Sequence, residues 1–293
     1  MQAEPELASV EARARLLGSM PDLRSVSVDT LLLMAERSRY RRFRPRAVIW
    51  RATDPITSVL YVLEGSVRVE HEGTLVGRVE SQRALGFTAL LTERDHLSAT
   101  TEARTLALEI PGDAVRIALQ RDFALQRFVL RGLARDLLAE RGPLPNRSDP
   151  PEHGTFRDEE LTVVERVIQL RRSPIARANV EGLAEIASAS TDVRFQRGDV
   201  LWSAGDVANH WIRVTAGLVE CETARGERAT VGAGTDMGFL DALAEVPRAH
   251  TARAASAVSA LRIELIDWFT VLELHTRVAT ELTAHLARGL RGD

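Results

Sequence analysis

Two short runs hold the residue types that bind anions: Gly238-Phe239-Leu240-Asp241-Ala242-Leu243 and, just after it, Pro247-Arg248-Ala249-His250-Thr251. An arginine offers a planar fork of donors to a phosphate or carboxylate. A glycine lets the backbone come close to such a ligand. Arg248 also has a structural alternative, a buried ion pair with Asp241 or Glu245. A second cationic group sits at Arg37, Arg39, Arg41, Arg42, Arg44 and Arg46. On an extended strand Arg42, Arg44 and Arg46 share one face. Such a stripe can grip RNA, DNA or an acidic partner; its alternative is a solvated strand face.

Signals for catalysis are absent. The seven histidines show no metal-ligand spacing; His275 and His285 have no partner three to five residues away. No nucleophile–base set, phosphate-binding Walker loop or dinucleotide fingerprint is present, and Gly232-Ala233-Gly234 is too short to count. The single Cys221 rules out an intramolecular disulfide and a cysteine-based zinc cluster, as expected in a reducing cytoplasm. An enzyme is not expected, and neither is a metal or a resident cofactor. The net charge of −3 gives no global pull toward nucleic acid or acidic membranes. All 38 basic residues are arginine, a skew expected of a GC-rich bacterial genome. The acidic N-terminus lacks an apolar signal core, and no stretch reaches the apolar length of a membrane span.

The elements that must position these residues occur twice. Residues 42–70 align without a gap on 194–222 at an offset of 152, with 10 identities in 29 positions. They include Arg42/Arg194, Phe43/Phe195, Val48/Val200, Trp50/Trp202, Asp54/Asp206, Val62/Val214, Gly65/Gly217 and Val67/Val219. A period this long signals a duplicated domain rather than a solenoid, whose units run roughly 20–50 residues. Phe43 is expected in the core, because Phe195 lacks the arginine neighbourhood. Short alternating apolar runs from Tyr40 to Ile110 are separated by Asp54-Pro55, Glu64-Gly65 and Glu72-Gly73. They predict a small β-barrel or roll. Helices are expected at 6–20, 27–37 and 113–140, with Ser27 or Asp29 as a cap for the second. The Pro/Gly-rich stretch 142–156 reads as a linker. The order then repeats, with helices at 158–172 and 177–188, strands over about 191–265 and a helix at 267–288. The expected fold is α+β: two β-rolls with flanking helices, spanning 1–141 and 157–293.

The Gly238 and Arg248 runs resemble the phosphate-binding cassette of the cyclic-nucleotide-binding domain family, the β-roll module of catabolite-activator-type regulators and kinase regulatory subunits. That cassette reads Gly-Glu-apolar-Ala-Leu, a spacer, then Pro-Arg-x-Ala-Thr. Phe195, Gly198, Asp199, Val200, Gly205, Asp206 and Gly217 fit its flanks, as do Phe43, Val48, Ile49, Asp54, Tyr61 and Gly65 in the first half. The resemblance implies a pocket in which helix N–H groups and the Arg hold a cyclic phosphate while the Glu holds the ribose 2′-OH. It places the second pocket at Gly238, Phe239, Leu240, Arg248, Ala249, His250 and Thr251. It places the first at Gly86, Phe87, Leu97 and Ser98.

Both copies depart from the pattern. The Glu position is Phe87 and Phe239, and the Arg position of the first copy is read as Leu97. A lost charge-assisted hydrogen bond is worth about 1.5–3 kcal/mol, and Phe adds bulk where the ribose lies. Phe87 and Phe239 are either plugs or ordinary core aromatics. Two degenerate pockets without a catalytic set imply a non-enzymatic regulatory or adaptor protein working through an unknown protein partner. The alternatives are a sensor of a cyclic nucleotide or other small anion at Arg248, and a nucleic-acid factor using the arginine stripe. Only Arg291-Gly292-Asp293 follow the last helix, so no helix-turn-helix is expected and DNA is not an expected partner. The first 25 residues show no kinase-inhibitor segment. Trp268, Leu272, His275, Ala279, Leu282 and Leu286 recur at coiled-coil-like steps. In the resembling family this helix often forms the dimer contact; the alternative is that Leu272, Leu282 and Leu286 pack on their own β-roll.

Overall fold

In a computed structural model of the chain, residues 9–92, 97–145, 152–156, 159–173 and 180–290 are described. The chain divides into two compact units, Met1–Phe128 and Val129–Asp293.

The first unit opens with α1 (Val10–Ser19), α2 (Val28–Arg37), β1 (Arg39–Phe43), β2 (Val48–Trp50), β3 (Ser58–Glu64) and β4 (Ser66–His71). There follow β5 (Thr74–Glu80), β6 (Arg83–Leu85), α3 (Phe87–Thr92), β7 (Leu97–Thr101), β8 (Thr105–Pro111), α4 (Gly112–Arg121) and α5 (Phe123–Arg141). The division between units falls inside α5. The second unit continues with α6 (Val163–Arg171), α7 (Val180–Ala189), β9 (Thr191–Phe195), β10 (Val200–Trp202), β11 (His210–Ala216), β12 (Val219–Glu222) and β13 (Arg228–Val231). It ends with β14 (Asp236–Met237), α8 (Phe239–Ala244), β15 (Thr251–Ala254), β16 (Val258–Glu264), α9 (Leu265–Leu274) and α10 (Thr276–Gly289).

Each unit is an antiparallel roll of two four-stranded sheets. The first pairs β1-β8-β3-β6 and β2-β7-β4-β5; the second pairs β9-β16-β11-β14 and β10-β15-β12-β13 in the same spatial order. Side-chain alternation along the strands sends one face inward. The first core gathers Trp50, Leu60, Val62, Val67, Leu85, Ala99 and Ala107. Its counterparts Trp202, Ile212, Val214, Val219, Met237, Ala252 and Ala260 form the second. Gly65 and Gly217 close the turn before β4 and β12 at φ +93 and +88. A Cβ there would lie 2.5 Å from the Arg104 carbonyl oxygen or 2.0 Å from that of Ala257, which is why both copies keep glycine.

Two expected helices are each split in two. The helix at 113–140 breaks at Asp122, whose φ of −134 leaves the helical region. Its carboxylate accepts from the Leu125 N–H at 3.2 Å and so caps α5, and it also accepts from the Ser27 backbone and hydroxyl. The helix at 267–288 breaks at His275. Of the helix expected at 6–20, the structure gives Val10–Ser19; residues 6–8 lie outside the described ones. The stretch read as a linker is docked where it is described. The carbonyl oxygens of Glu152 and His153 accept from the Ala233 and Gly217 N–H groups, and Leu144 packs on the second core.

Candidate functional site

The second cassette begins at Gly238, which caps α8 in the left-handed region at φ +73. A Cβ on Gly238 would sit 2.1 Å from Arg248 Nη1 and 3.4 Å from the Trp202 ring. Gly238 therefore packs closely against both Arg248 and Trp202, and the glycine is required by contact as well as by φ.

Arg248 is buried, at 2% exposure. Its Nη1 donates to the Gly238 carbonyl at 2.7 Å and its Nη2 to the His210 carbonyl at 2.5 Å. The guanidinium carbon lies 4.4 Å from the Trp202 ring centroid, a desolvated cation–π contact. Asp241, also buried, approaches Nη1 at 3.9 Å. Of the two acids that were alternatives for Arg248, Asp241 is thus the neighbour, while Glu245 pairs with Arg131 on α5 at 3.0 Å. The guanidinium works as a strut tying α8 to β11.

Trp202 is the hub of this cluster. His210 and His250 meet its edge at centroid distances of 6.1 and 5.8 Å. His250 is buried and its Nδ1–H donates to the Pro143 carbonyl at 2.8 Å, so its bare Nε2 is the nitrogen left without a partner. Arg135 of α5 donates to the Ala244 carbonyl at the end of α8. Within the second unit, α5 and Pro143 thus cover the cassette. Thr251 accepts from the Ala204 N–H at 3.1 Å. Phe239, Leu240 and Ala249 are half-buried.

Burial sets the electrostatics here. It pushes the Asp241 carboxyl up to about 6, although Arg248 and the Ala249 N–H favour the charged form. It pushes His210 down to about 4, helped by Arg248 and Arg262, and lowers His250 as well. The linkage signs oppose each other. His210, depressed in the fold, contributes stability that is present above its ordinary 6.5 and lost as pH falls through 4. Asp241, raised in the fold, contributes stability that is present below its ordinary 3.8 and lost as pH rises through 6. The two compensate between pH 4 and 6.5. His210→Gln is therefore expected to gain stability relative to the wild type between pH about 7 and about 4.5, and Asp241→Asn to lose it. Urea midpoints at the two pH values check this; offsets that do not change with pH count against it.

The first cassette has the same frame with different contents. Gly86 stands at φ +90, and a Cβ there would lie 2.6 Å from the Trp50 ring. The two tryptophans of the repeat therefore occupy the space beneath the cassette glycines. Phe87 instead meets Phe128 of α5 edge-on at 6.2 Å. Strand register revises one equivalence. Val67 pairs with Thr101 and Val219 with Ala254, so β7 and β15 match at an offset of 153. Leu97 then corresponds to His250, and Ser98 to Thr251. The counterpart of Arg248 is position 95, which lies outside the described residues with His96.

Two surface expectations need correction. β1 ends at Phe43, because Pro45 cannot extend it. Arg44 and Arg46 lie in a turn, with Arg46 at φ +63, so Arg42, Arg44 and Arg46 do not share a strand face. Arg37 and Arg41 pair with Asp113 and Glu109. The helical seam is buried at Trp268, Leu272, Ala279, Leu282 and Leu286, and Trp268 packs on Trp211 at 5.5 Å. Leu272, Leu282 and Leu286 present no face to a second copy.

No group of acidic, histidine or cysteine side chains able to hold a metal ion occurs among the described residues. No helix among them is long and apolar enough to cross a membrane.

Duplicated rolls, each with a glycine-led short helix set over a buried tryptophan, define a two-domain β-roll protein of the cyclic-nucleotide-binding type. The family description "Cyclic nucleotide-binding domain" matches residues 40–122 and 192–275, over half of the chain. The chain belongs to that family and carries its domain in tandem. No curated protein matches the sequence. Similar solved structures include a mutant regulatory subunit of a cAMP-independent protein kinase A from Trypanosoma brucei, bound to cAMP in its A site. It is 15% identical and covers 94% of this chain and 92% of its own, with a TM-score of 0.36. The N-terminal domain of a transcriptional regulator from Streptomyces coelicolor A3(2) is 32% identical over 42% of this chain and 93% of its own, with a TM-score of 0.39. The sensor domain of the regulator DNR from Pseudomonas aeruginosa is 14% identical over 47% and 97%, with a TM-score of 0.43.

Proposed function

We propose that this chain is a non-enzymatic regulatory or adaptor protein whose cyclic-nucleotide-binding domains work without a cyclic nucleotide, through contacts with a protein partner. One observation carries the reading: the arginine that would hold the phosphate donates instead to the Gly238 and His210 carbonyl oxygens, over the Trp202 ring. A cyclic phosphate that took over the Nη1 and Nη2 donors would compete with both carbonyl oxygens, and each buried carbonyl left unpaired costs about 1–3 kcal/mol; the Nε, which has no partner among the described residues, is the donor it could use without that cost. Phe87 and Phe239 offer no carboxylate to a ribose. In this reading both cassettes are degenerate and serve as packing elements, and surfaces carry the function.

Isothermal calorimetry with cyclic AMP and cyclic GMP tests it. No saturable heat is expected up to roughly millimolar ligand. Micromolar binding that disappears in Arg248→Ala overturns it and makes the second domain a nucleotide sensor.

A further inference from the structure

We propose that the second unit holds a separate binding site for a small organic carboxylate, on the outer face of its sheet, with Arg213 as the anchor. A cavity of about 1000 Å³ lies there, between β9, β11, α6 and the segment 152–155. Arg213, Thr215 and Ser259 line it from the sheet, and Arg172 and Arg194 from its sides.

Arg213 is 2% exposed. Its Nη1 donates to Asp236 at 2.8 Å, and the other Asp236 oxygen accepts from Ser173 at 2.7 Å. Its Nε has no partner among the described residues. The Nε–Nη2 side of a guanidinium is the edge that takes a carboxylate with two parallel bonds. The Ser259 hydroxyl, diagonal to Arg213 across the β11–β16 ladder, is likewise buried without a partner. An isolated buried donor is costly, and both residues line one cavity. A carboxylate would satisfy both. Glu152, Glu159, Glu165 and Asp192 also line the cavity; Asp192 is paired with Arg166 at 2.6 Å, and Glu165 accepts from Thr162.

The repeat supplies an internal control. Arg213 pairs across the ladder with Asp236, and their counterparts in the first unit, Tyr61 and Ala84, pair in the same register. Ser259 corresponds to Leu106 by its position opposite Ala216, as Leu106 is opposite Glu64. The same scaffold thus closes with tyrosine, alanine and leucine where the second unit has arginine, aspartate and serine. The fold does not need the charges. A buried ion pair is often no better for stability than well-packed residues of similar volume, so we read the unpartnered donors as places for a ligand.

The test compares the wild type with the double variant Arg213→Tyr, Asp236→Ala, which carries the residues that the first unit folds with. Acetate, succinate, L-glutamate and inorganic phosphate serve as probes at about 10 mM, read by thermal shift and calorimetry. At least one carboxylate is expected to raise the wild-type Tm and bind saturably. Its affinity should fall roughly tenfold or more in the double variant and in Ser259→Ala, and stay unchanged in Arg248→Lys. The proposal is overturned if no carboxylate shifts the wild type, if the shift survives in the folded double variant, or if phosphate alone binds. A shift lost in Arg248→Lys and kept in the double variant assigns the ligand to the cassette, against both this site and the proposed function.

Discussion

Arg248→Met is expected to destabilise the second unit by about 3–5 kcal/mol, the range for removing one partner of a buried ionic cluster. The side chain is nearly isosteric, so little of the loss is volume. Three groups are left behind. The Gly238 and His210 carbonyl oxygens lose their donor, and Asp241, buried at 3% exposure, loses the cation that favours its charged form. Arg248→Lys keeps the charge but reaches fewer acceptors from a point ammonium and is expected to recover only part of the loss. The double variant Arg248→Met, Asp241→Leu is expected to recover most of it, because an apolar pair of similar volume replaces the buried ions. Urea denaturation, with hydrogen exchange on peptides spanning 200–260, separates this unit from the first. A single variant within about 0.5 kcal/mol of the wild type means that the guanidinium is no strut and stands free for a ligand.

The frame of this site was legible in the sequence and its wiring was not. Trp50/Trp202, Gly65/Gly217 and the alternating valines mark positions where a roll needs bulk, positive φ or an inward side chain, and such needs are local enough to survive as identities. The direction of the Arg248 guanidinium depends on a carbonyl on β11 and a ring on β10, which adjacency in the chain does not encode. A one-residue difference between cassette and strand, hidden by the gapless alignment before it, put Leu97 opposite Arg248 instead of His250. The seam from Trp268 to Leu286 shows why a 3–4 pattern is ambiguous: it marks an apolar stripe, and a stripe is buried equally well by its own β-roll or by a partner. Two signals were present and unread. Asp122 is a good N-cap residue in the middle of an expected helix. Tyr61/Arg213 and Ala84/Asp236 are repeat positions at which the copies differ in polarity, and a search for identities passes over them.

Trp202→Ala is expected to cost more than Trp50→Ala, although both remove the same side chain from equivalent cores. Each truncation leaves a cavity beneath a cassette glycine, worth about 3–5 kcal/mol for a buried aromatic. Trp50 touches Gly86 there. Trp202 also carries the Arg248 guanidinium on its face and two histidine rings at its edge. A desolvated cation–π contact adds about 2 kcal/mol, so the second unit should lose that much more. The excess has its own signature. If it belongs to the Trp202–Arg248 contact, a cycle of Trp202→Leu, Arg248→Met and the double variant shows a coupling of about 1–2 kcal/mol. Additive losses would assign the excess to cavity size alone. The coupling matters for function, because a ring that holds the arginine against Gly238 keeps the anion anchor withdrawn. Weakening the ring by Trp202→Leu should then free Arg248 and make the second domain more receptive to phosphate-bearing ligands than the wild type, even as it becomes less stable.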